Sequence, residues 1–285
     1  MENNGNNNPK GSSLPVGFLM FVVALVVLKL FFVDAYNIPS RSMEPTLIKG
    51  DFILTNKLVY ELTDPRRGDI AVFIFPHPEM FGRKLVTLPV LRDFLNITFI
   101  KRIIGKPGDV ISFNNGRLTI NGKPLKYEFV KQTQNATILY EYVPREGRPP
   151  VKHLVRYMKN PPLKAEIGRW GVNPDAIPSS ACLKKKVVCL SGAFGRMYCA
   201  ELCTEIKVPR GYYFVMGDNR DDSEDSRYWG FVKRDFILST PFVIFFSGEV
   251  PPVSPRESNP LIGLIQLMHA VLHPNWDRIG KPLIY

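Results

Sequence analysis

Residues 14–33 read LPVGFLMFVVALVVLKLFFV, and the only charge among them is Lys29. About 20 consecutive apolar residues is the length a helix needs to cross the hydrocarbon of a bilayer. This constrains the chain more than any other stretch, because everything after it must fold in water while tethered at one end. Lys29 lies near the far end, where a long stem can carry its charge to the interface. A removable leader has a shorter apolar run, a more basic start than Lys10 alone and a small-x-small cleavage site, so the run reads as one retained transmembrane helix. Lys10 before the span and Asp34 after it place the N-terminus in the cytoplasm and the bulk of the chain outside. Residues 1–13, rich in Asn and Gly, read as a disordered cytoplasmic tail.

With 45% hydrophobic and 12% aromatic residues over 285 positions there is ample material for a core. The formal charge of +11 has no nucleic-acid signature beside it: no zinc-finger spacing, no RNP-like stretch, no basic helix with heptads. An anionic membrane surface suits it better. The four cysteines, Cys182, Cys189, Cys199 and Cys203, fall in one short segment. Outside the cytoplasm they read as two disulfides with three possible pairings. C-x6-C and C-x3-C are not zinc spacings, so no metal is expected.

Short strand-like runs separated by Gly, Asn and Pro recur at 52–57, 70–75, 97–104, 211–216 and 241–246. Two Asn-Gly pairs, Asn115-Gly116 and Asn121-Gly122, flank Arg117–Ile120 and predict consecutive hairpins. The fold class is therefore mainly β and antiparallel. Residues 129–206 differ. They are rich in Pro and Lys, hold every cysteine and show few regular strands, so they read as an inserted subdomain. The β domain then comprises 34–128 and 207–258. Within the C-terminal segment 259–285, residues 261–272 are apolar but too short to span, which predicts either a core helix or an interfacial one, with the interfacial reading preferred.

The candidate chemistry begins at Pro39-Ser40-Arg41-Ser42-Met43-Glu44-Pro45-Thr46-Leu47. Pro45 forbids a continuing helix and biases Glu44 toward extended geometry, so the serines sit on irregular chain. A serine nucleophile needs a base. None of the four histidines suits: His77 is in a Pro-rich turn, His153 is in the insert, and His269 and His273 lack the H-E-x-x-H pattern of a metal helix. Lysine can replace histidine, provided burial strips its charge. Lys101 shares a strand face with Phe99 and Ile103, beside Ile100, and fits that requirement; a gatekeeper on an edge strand is the plain alternative. The acidic stretch from Asp218 fails as a calcium loop, with Arg220, Ser223 and Trp229 at its third, sixth and twelfth positions.

Four motifs in order after an anchor resemble the bacterial type I signal peptidase (leader peptidase) family. They are Pro39-Ser40-x-Ser42-Met43-x-Pro45-Thr46-Leu47, Arg67-Gly68-Asp69-Ile70-Ala71-Val72-Phe73, Lys101-Arg102-x-x-Gly105-x-Pro107-Gly108-Asp109, and Gly217-Asp218-Asn219-Arg220-Asp221-x-Ser223-x-Asp225-Ser226-Arg227-Tyr228-Trp229-Gly230. The resemblance implies a membrane-bound serine endopeptidase, its catalytic β domain outside the cytoplasmic membrane, that removes signal peptides after small residues in an Ala-x-Ala pattern. Ser42 would be the nucleophile and Lys101 its neutral base. The Ser42 N–H and Ser40 hydroxyl would form the oxyanion hole. Ser223 would orient the Lys101 amine, with Asp225, Arg227 and Asp218 in support. Tyr36, Ile38, Pro39, Met43, Leu47 and Ile100 would line shallow pockets for the substrate. Preproteins and membrane lipid are the implied partners, with no cofactor and no nucleic acid. Many members have Gly where this chain has Arg41. The rival from another class is a catalytically silent membrane component of the export machinery.

Overall fold

The structure is a computed structural model that describes residues 16–82, 84–86, 95–191, 197–250 and 268–283, the side chains of 25–31 excepted. Helix α1 (Val16–Phe31) leads into β1 (Val33–Asn37), and after the serine segment comes β2 (Asp51–Asn56). A short α2 (Leu58–Leu62) precedes β3 (Ile70–Ile74) and β4 (Thr98–Gly105). The meander β5 (Val110–Asn114), β6 (Arg117–Ile120) and β7 (Lys123–Pro124) follows. Next are β8 (Lys126–Gln132), β9 (Ala136–Arg145) and β10 (Arg148–Met158), then α3 (Leu163–Gly168), β11 (Cys182–Ser191) and β12 (Met197–Lys207). The chain closes with β13 (Tyr212–Met216), α4 (Ser226–Trp229), β14 (Val232–Lys233) and β15 (Ile237–Ser247).

The mainly β, antiparallel expectation holds. One sheet runs β1-β2-β15-β3-β4-β13-β14, a second β10-β9-β8 and a third β11-β12-β5-β6-β7. Both Asn-Gly hairpins form. Asn115 and Asn121 have φ of 45° and 51°, and the following glycines are also left-handed, which is what a two-residue hairpin turn requires.

Residues 129–206 correct the expectation of few regular strands, because most of that stretch is paired. Two features hid the strands. Pro149 and Pro150 interrupt the start of β10, where the register with β9 shifts. Lys184, Lys185 and Lys186 are exposed on both faces of β11, which among the described residues pairs with β12 alone. The stretch also shares a core with the flanking chain: Val143, Val151 and Cys203 pack in one cluster with Ile104, Ile111 and Phe214. Strand β12 pairs β5 through Ile206 and Ile111. The cysteines pair as Cys182–Cys203 and Cys189–Cys199, closing the β11–β12 ribbon.

Helix α1 is shorter than the predicted span. Its 16 residues reach about 24 Å at 1.5 Å each, against a hydrocarbon core of about 30 Å. No helix among the described residues is long and apolar enough to cross a membrane. Its described side chains are nonetheless exposed and apolar, as with Val16 at 75% and Met20 at 65%. The predicted tail 1–13 lies outside the described residues, as does most of the predicted helix 261–272; residues 268–272 are helical.

Candidate active site

Ser42 and Lys101 reach each other from separate parts of the large sheet. Ser42 lies on the turn between β1 and β2, and Lys101 is in the middle of β4, paired with Ala71 of β3. Their side chains are hydrogen-bonded, Nζ to Oγ, at 2.7 Å. Both residues are buried, at 7% and 4% exposure. The Lys101 amine also donates to the Ile100 carbonyl at 3.0 Å and lies 5.4 Å from the centre of the Phe99 ring. Burial is the main influence on this amine and lowers its pKa from 10.5 to about 8, against the opposing pull of Asp225, Asp218 and Glu224. The gatekeeper alternative fails, because β4 is an inner strand between β3 and β13.

The serine turn is held from the far end of the chain. Asn219 donates its N–H to the Ser42 carbonyl and its amide to the Arg41 carbonyl, each at 3.0 Å. Thr46 donates to Asp218 at 2.5 Å, and Arg278 donates to the Thr46 carbonyl at 3.0 Å. Gly217 permits the close approach of these segments: a Cβ there would collide with both the Ser42 carbonyl and Ser223 Oγ. Ser40 Oγ lies 3.3 Å from Ser42 Oγ. Arg41 extends outward into an exposed ion pair with Glu44.

Asp225 and Arg227 are tied to each other and to the loop that carries Ser223. Asp225 caps α4, accepts from the Gly217 N–H at 3.0 Å and receives two hydrogen bonds from the Arg227 guanidinium. Burial pushes the Asp225 carboxyl up, but Arg227 outweighs it and holds the group below its usual range. Arg227 also donates to the Arg220 carbonyl. Asp218 is fully buried; there too the positive charge of Arg102, then of His153, overcomes desolvation and keeps the carboxyl well below the ordinary range.

Ser223 departs from expectation. It shares a cleft with Ser42 and Lys101, yet its buried Oγ has no hydrogen-bond partner among the described residues and makes no bond to the amine. The amine instead bonds Ser42 and the Ile100 carbonyl. Of the residues expected to line substrate pockets, Ile38, Met43 and Leu47 are buried together, with Tyr36 and Ile100 packed against them; Pro39 is exposed. The open cleft at the serine has a volume of about 580 Å³. Ser40, Arg41, Phe99, Pro162, Lys164 and Tyr228 are among the residues that line it.

A buried ionic network behind the pair escaped the sequence reading. Arg102, adjacent to Lys101, grips Asp218 at 2.8 and 2.7 Å and donates to the Gly68 carbonyl. His153 lies between Glu141 and Asp218, at 3.2 and 3.3 Å. Arg220 forms a two-point pair with Glu141. Desolvation pushes Glu141 up, but Arg220 and His153 more than offset it and leave the carboxyl well below its usual range. The available signal was single charged residues inside strand-like runs, as in Leu139-Tyr140-Glu141-Tyr142-Val143. His269 and His273 stack on each other, and no group of metal-ligating side chains occurs among the described residues.

The family model described as "Signal peptidase, peptidase S26" matches residues 13–246. The chain belongs to this signal peptidase family. It is a serine peptidase and thus a hydrolase. It is 39% identical to signal peptidase I of Aquifex aeolicus (strain VF5) over 94% of this chain and 97% of that one. Signal peptidase I of Pseudomonas fluorescens is 31% identical over 87% of this chain and 76% of its own. A solved signal peptidase I of Enterococcus faecalis V583 aligns with 62% of this chain and 97% of its own at 21% identity, with a TM-score of 0.28, too low to bear on the fold.

Proposed function

We propose that this chain is a membrane-anchored endopeptidase that removes N-terminal signal peptides from exported preproteins, with Ser42 as nucleophile and Lys101 as general base. The observation that carries this reading is the 2.7 Å contact between a serine hydroxyl and an amine removed from water. A free lysine holds its proton at neutral pH and cannot accept another. Lowered to about 8, the Lys101 amine is neutral in about one molecule in ten at pH 7, roughly 300 times the fraction for an amine at 10.5.

As Ser42 Oγ bonds to the scissile carbonyl carbon, its proton passes to Lys101 Nζ. Negative charge then develops on the carbonyl oxygen. The Ser42 N–H makes no hydrogen bond among the described residues and, with the nearby Ser40 hydroxyl, is available to this oxyanion. When the tetrahedral species collapses, the carbon–nitrogen bond breaks and the ammonium returns a proton to the leaving amine. Water, deprotonated by the same amine, then releases the acyl group.

Ile38, Met43 and Leu47 pack together with Ile100 against them, and this apolar surface near the serine supports the reading that alanine-sized side chains are taken at the first and third positions before the cut. Exposed apolar side chains on α1 support anchoring at the cytoplasmic membrane, with the catalytic domain on its outer side. The test uses the full chain with Ser42→Ala and Lys101→Met, assayed on a preprotein. Both should abolish cleavage while circular dichroism stays native; processing that persists in either variant refutes the assignment.

A further inference from the structure

A second cleft lies beyond the serine site. It has a volume of about 410 Å³ and is formed by residues 63–67, Lys106 and the β9–β10 turn. Five cations line it, Arg66, Arg67, Lys106, Arg145 and Arg148, against two acids, Asp64 and Glu146. Those acids are already engaged. Asp64 pairs with Arg234, and Glu146 bridges Arg67 and Lys106 at 3.2 and 2.8 Å. Behind the lining, Asp69 answers Arg145 and Asp109 answers Arg67. Arg66 and Arg148 are exposed and make no ion pair within 4 Å among the described residues. Both lie close enough to Arg145 to help lower its pKa, after the larger effect of burial. The fold thus gathers like charges and leaves two of them without a carboxylate in contact, Arg66 being met only at longer range by Asp69, an arrangement that favours a bound anion.

The cleft's position says which anion. The Lys57 N–H bonds the carbonyl of Phe32, which follows directly on α1. Helix α2 begins at the next residue and ends at Leu62, whose side chain is 78% exposed, and Thr63 opens the cleft. An exposed apolar helix, an exposed leucine and a basic cleft therefore follow one another at the point where the chain leaves α1.

We propose that this cleft binds the phosphate of an anionic lipid headgroup, with Arg66 and Arg148 as its free ligands. The proposal rests on the membrane-anchored reading of α1. It gives the domain a second hold on the bilayer, one that fixes its rotation about the anchor as a single helix cannot. Each cation at an anionic surface contributes about fivefold in affinity, so removing both should weaken binding about 30-fold.

The test uses the full chain in an uncharged detergent, titrated with dihexanoyl phosphatidylglycerol, dihexanoyl phosphatidylcholine or inorganic phosphate at low salt. Wild type should bind the glycerol lipid, and Arg66→Gln/Arg148→Gln should bind it about 30-fold more weakly while cleaving a soluble peptide at the wild-type rate. Equal binding of that lipid by both proteins, or equal binding of the choline lipid, overturns the proposal. Inorganic phosphate that binds as tightly as the glycerol lipid makes the cleft a site for the free ion and also overturns it. Wild type that fails to partition onto phosphatidylcholine vesicles would count against the α1 anchor alone, which the detergent titration does not read, so the two failures are distinguishable.

Discussion

If burial sets the state of Lys101, the fold carries a penalty that removing the amine should relieve. The unfolded amine takes up its proton near 10.5 and the folded one near 8. The sign follows from linkage: between these values the unfolded chain binds more protons, so stability rises with pH across that window. Below 8 the folded state carries the full penalty, about 3 kcal/mol at pH 7; at pH 9.5 about 1.5 kcal/mol remains. Lys101→Met removes it, together with two hydrogen bonds, to Ser42 and the Ile100 carbonyl, of about 1 kcal/mol each. The inactive variant should therefore be more stable by about 1 kcal/mol at pH 7, and the difference should reverse near pH 9.5. The assay is urea unfolding of the full chain in uncharged detergent, followed by near-UV circular dichroism at several pH values. A stability difference that does not change between pH 7 and 9.5 would refute the claim that desolvation lowers this amine.

Cleavage itself should follow the same ionisation: kcat/KM should rise about tenfold per pH unit below 8 and level off above it, and a profile flat from pH 6 to 8 would remove Lys101 as base. Glu141→Gln leaves Arg220 and His153 with a neutral partner in a buried site and should destabilise the fold by about 3–5 kcal/mol, read from denaturant midpoints. Gly217→Ala drives a methyl group into Ser223 and the Ser42 carbonyl, so peptide cleavage should fall at least tenfold even where the variant folds. Because Asp218 and Glu141 are held below the ordinary carboxylate range, their stabilisation is complete above about pH 5 and should drain away as pH falls further, measured by acid titration of circular dichroism.

Much of this arrangement was legible before any coordinates. Period-two apolar runs located the inner strands, and Asn-Gly pairs located their hairpins, because both signals are local. Lys101 stood out because a charge sharing one strand face with Phe99 and Ile103 needs an explanation. The network of Arg102, Glu141, His153 and Arg220 did not stand out, since each half of a pair looks ordinary until folding supplies the other from as far as 116 residues away. Strands 129–206 were hidden for another reason: β10 and β11 are the end strands of their sheets, and edge strands tolerate proline and lysine that inner strands exclude. Ser223 was assigned an orienting bond that depends on side-chain direction within a loop, which spacing does not encode.

Strand β15 pairs both β2 and β3, and Arg278 fastens Asp51 and Thr46 from beyond it. During synthesis, Ser42 and Lys101 emerge from the ribosome long before these late pieces do. A nascent or truncated chain therefore holds both reacting groups without the clamps that bring them together.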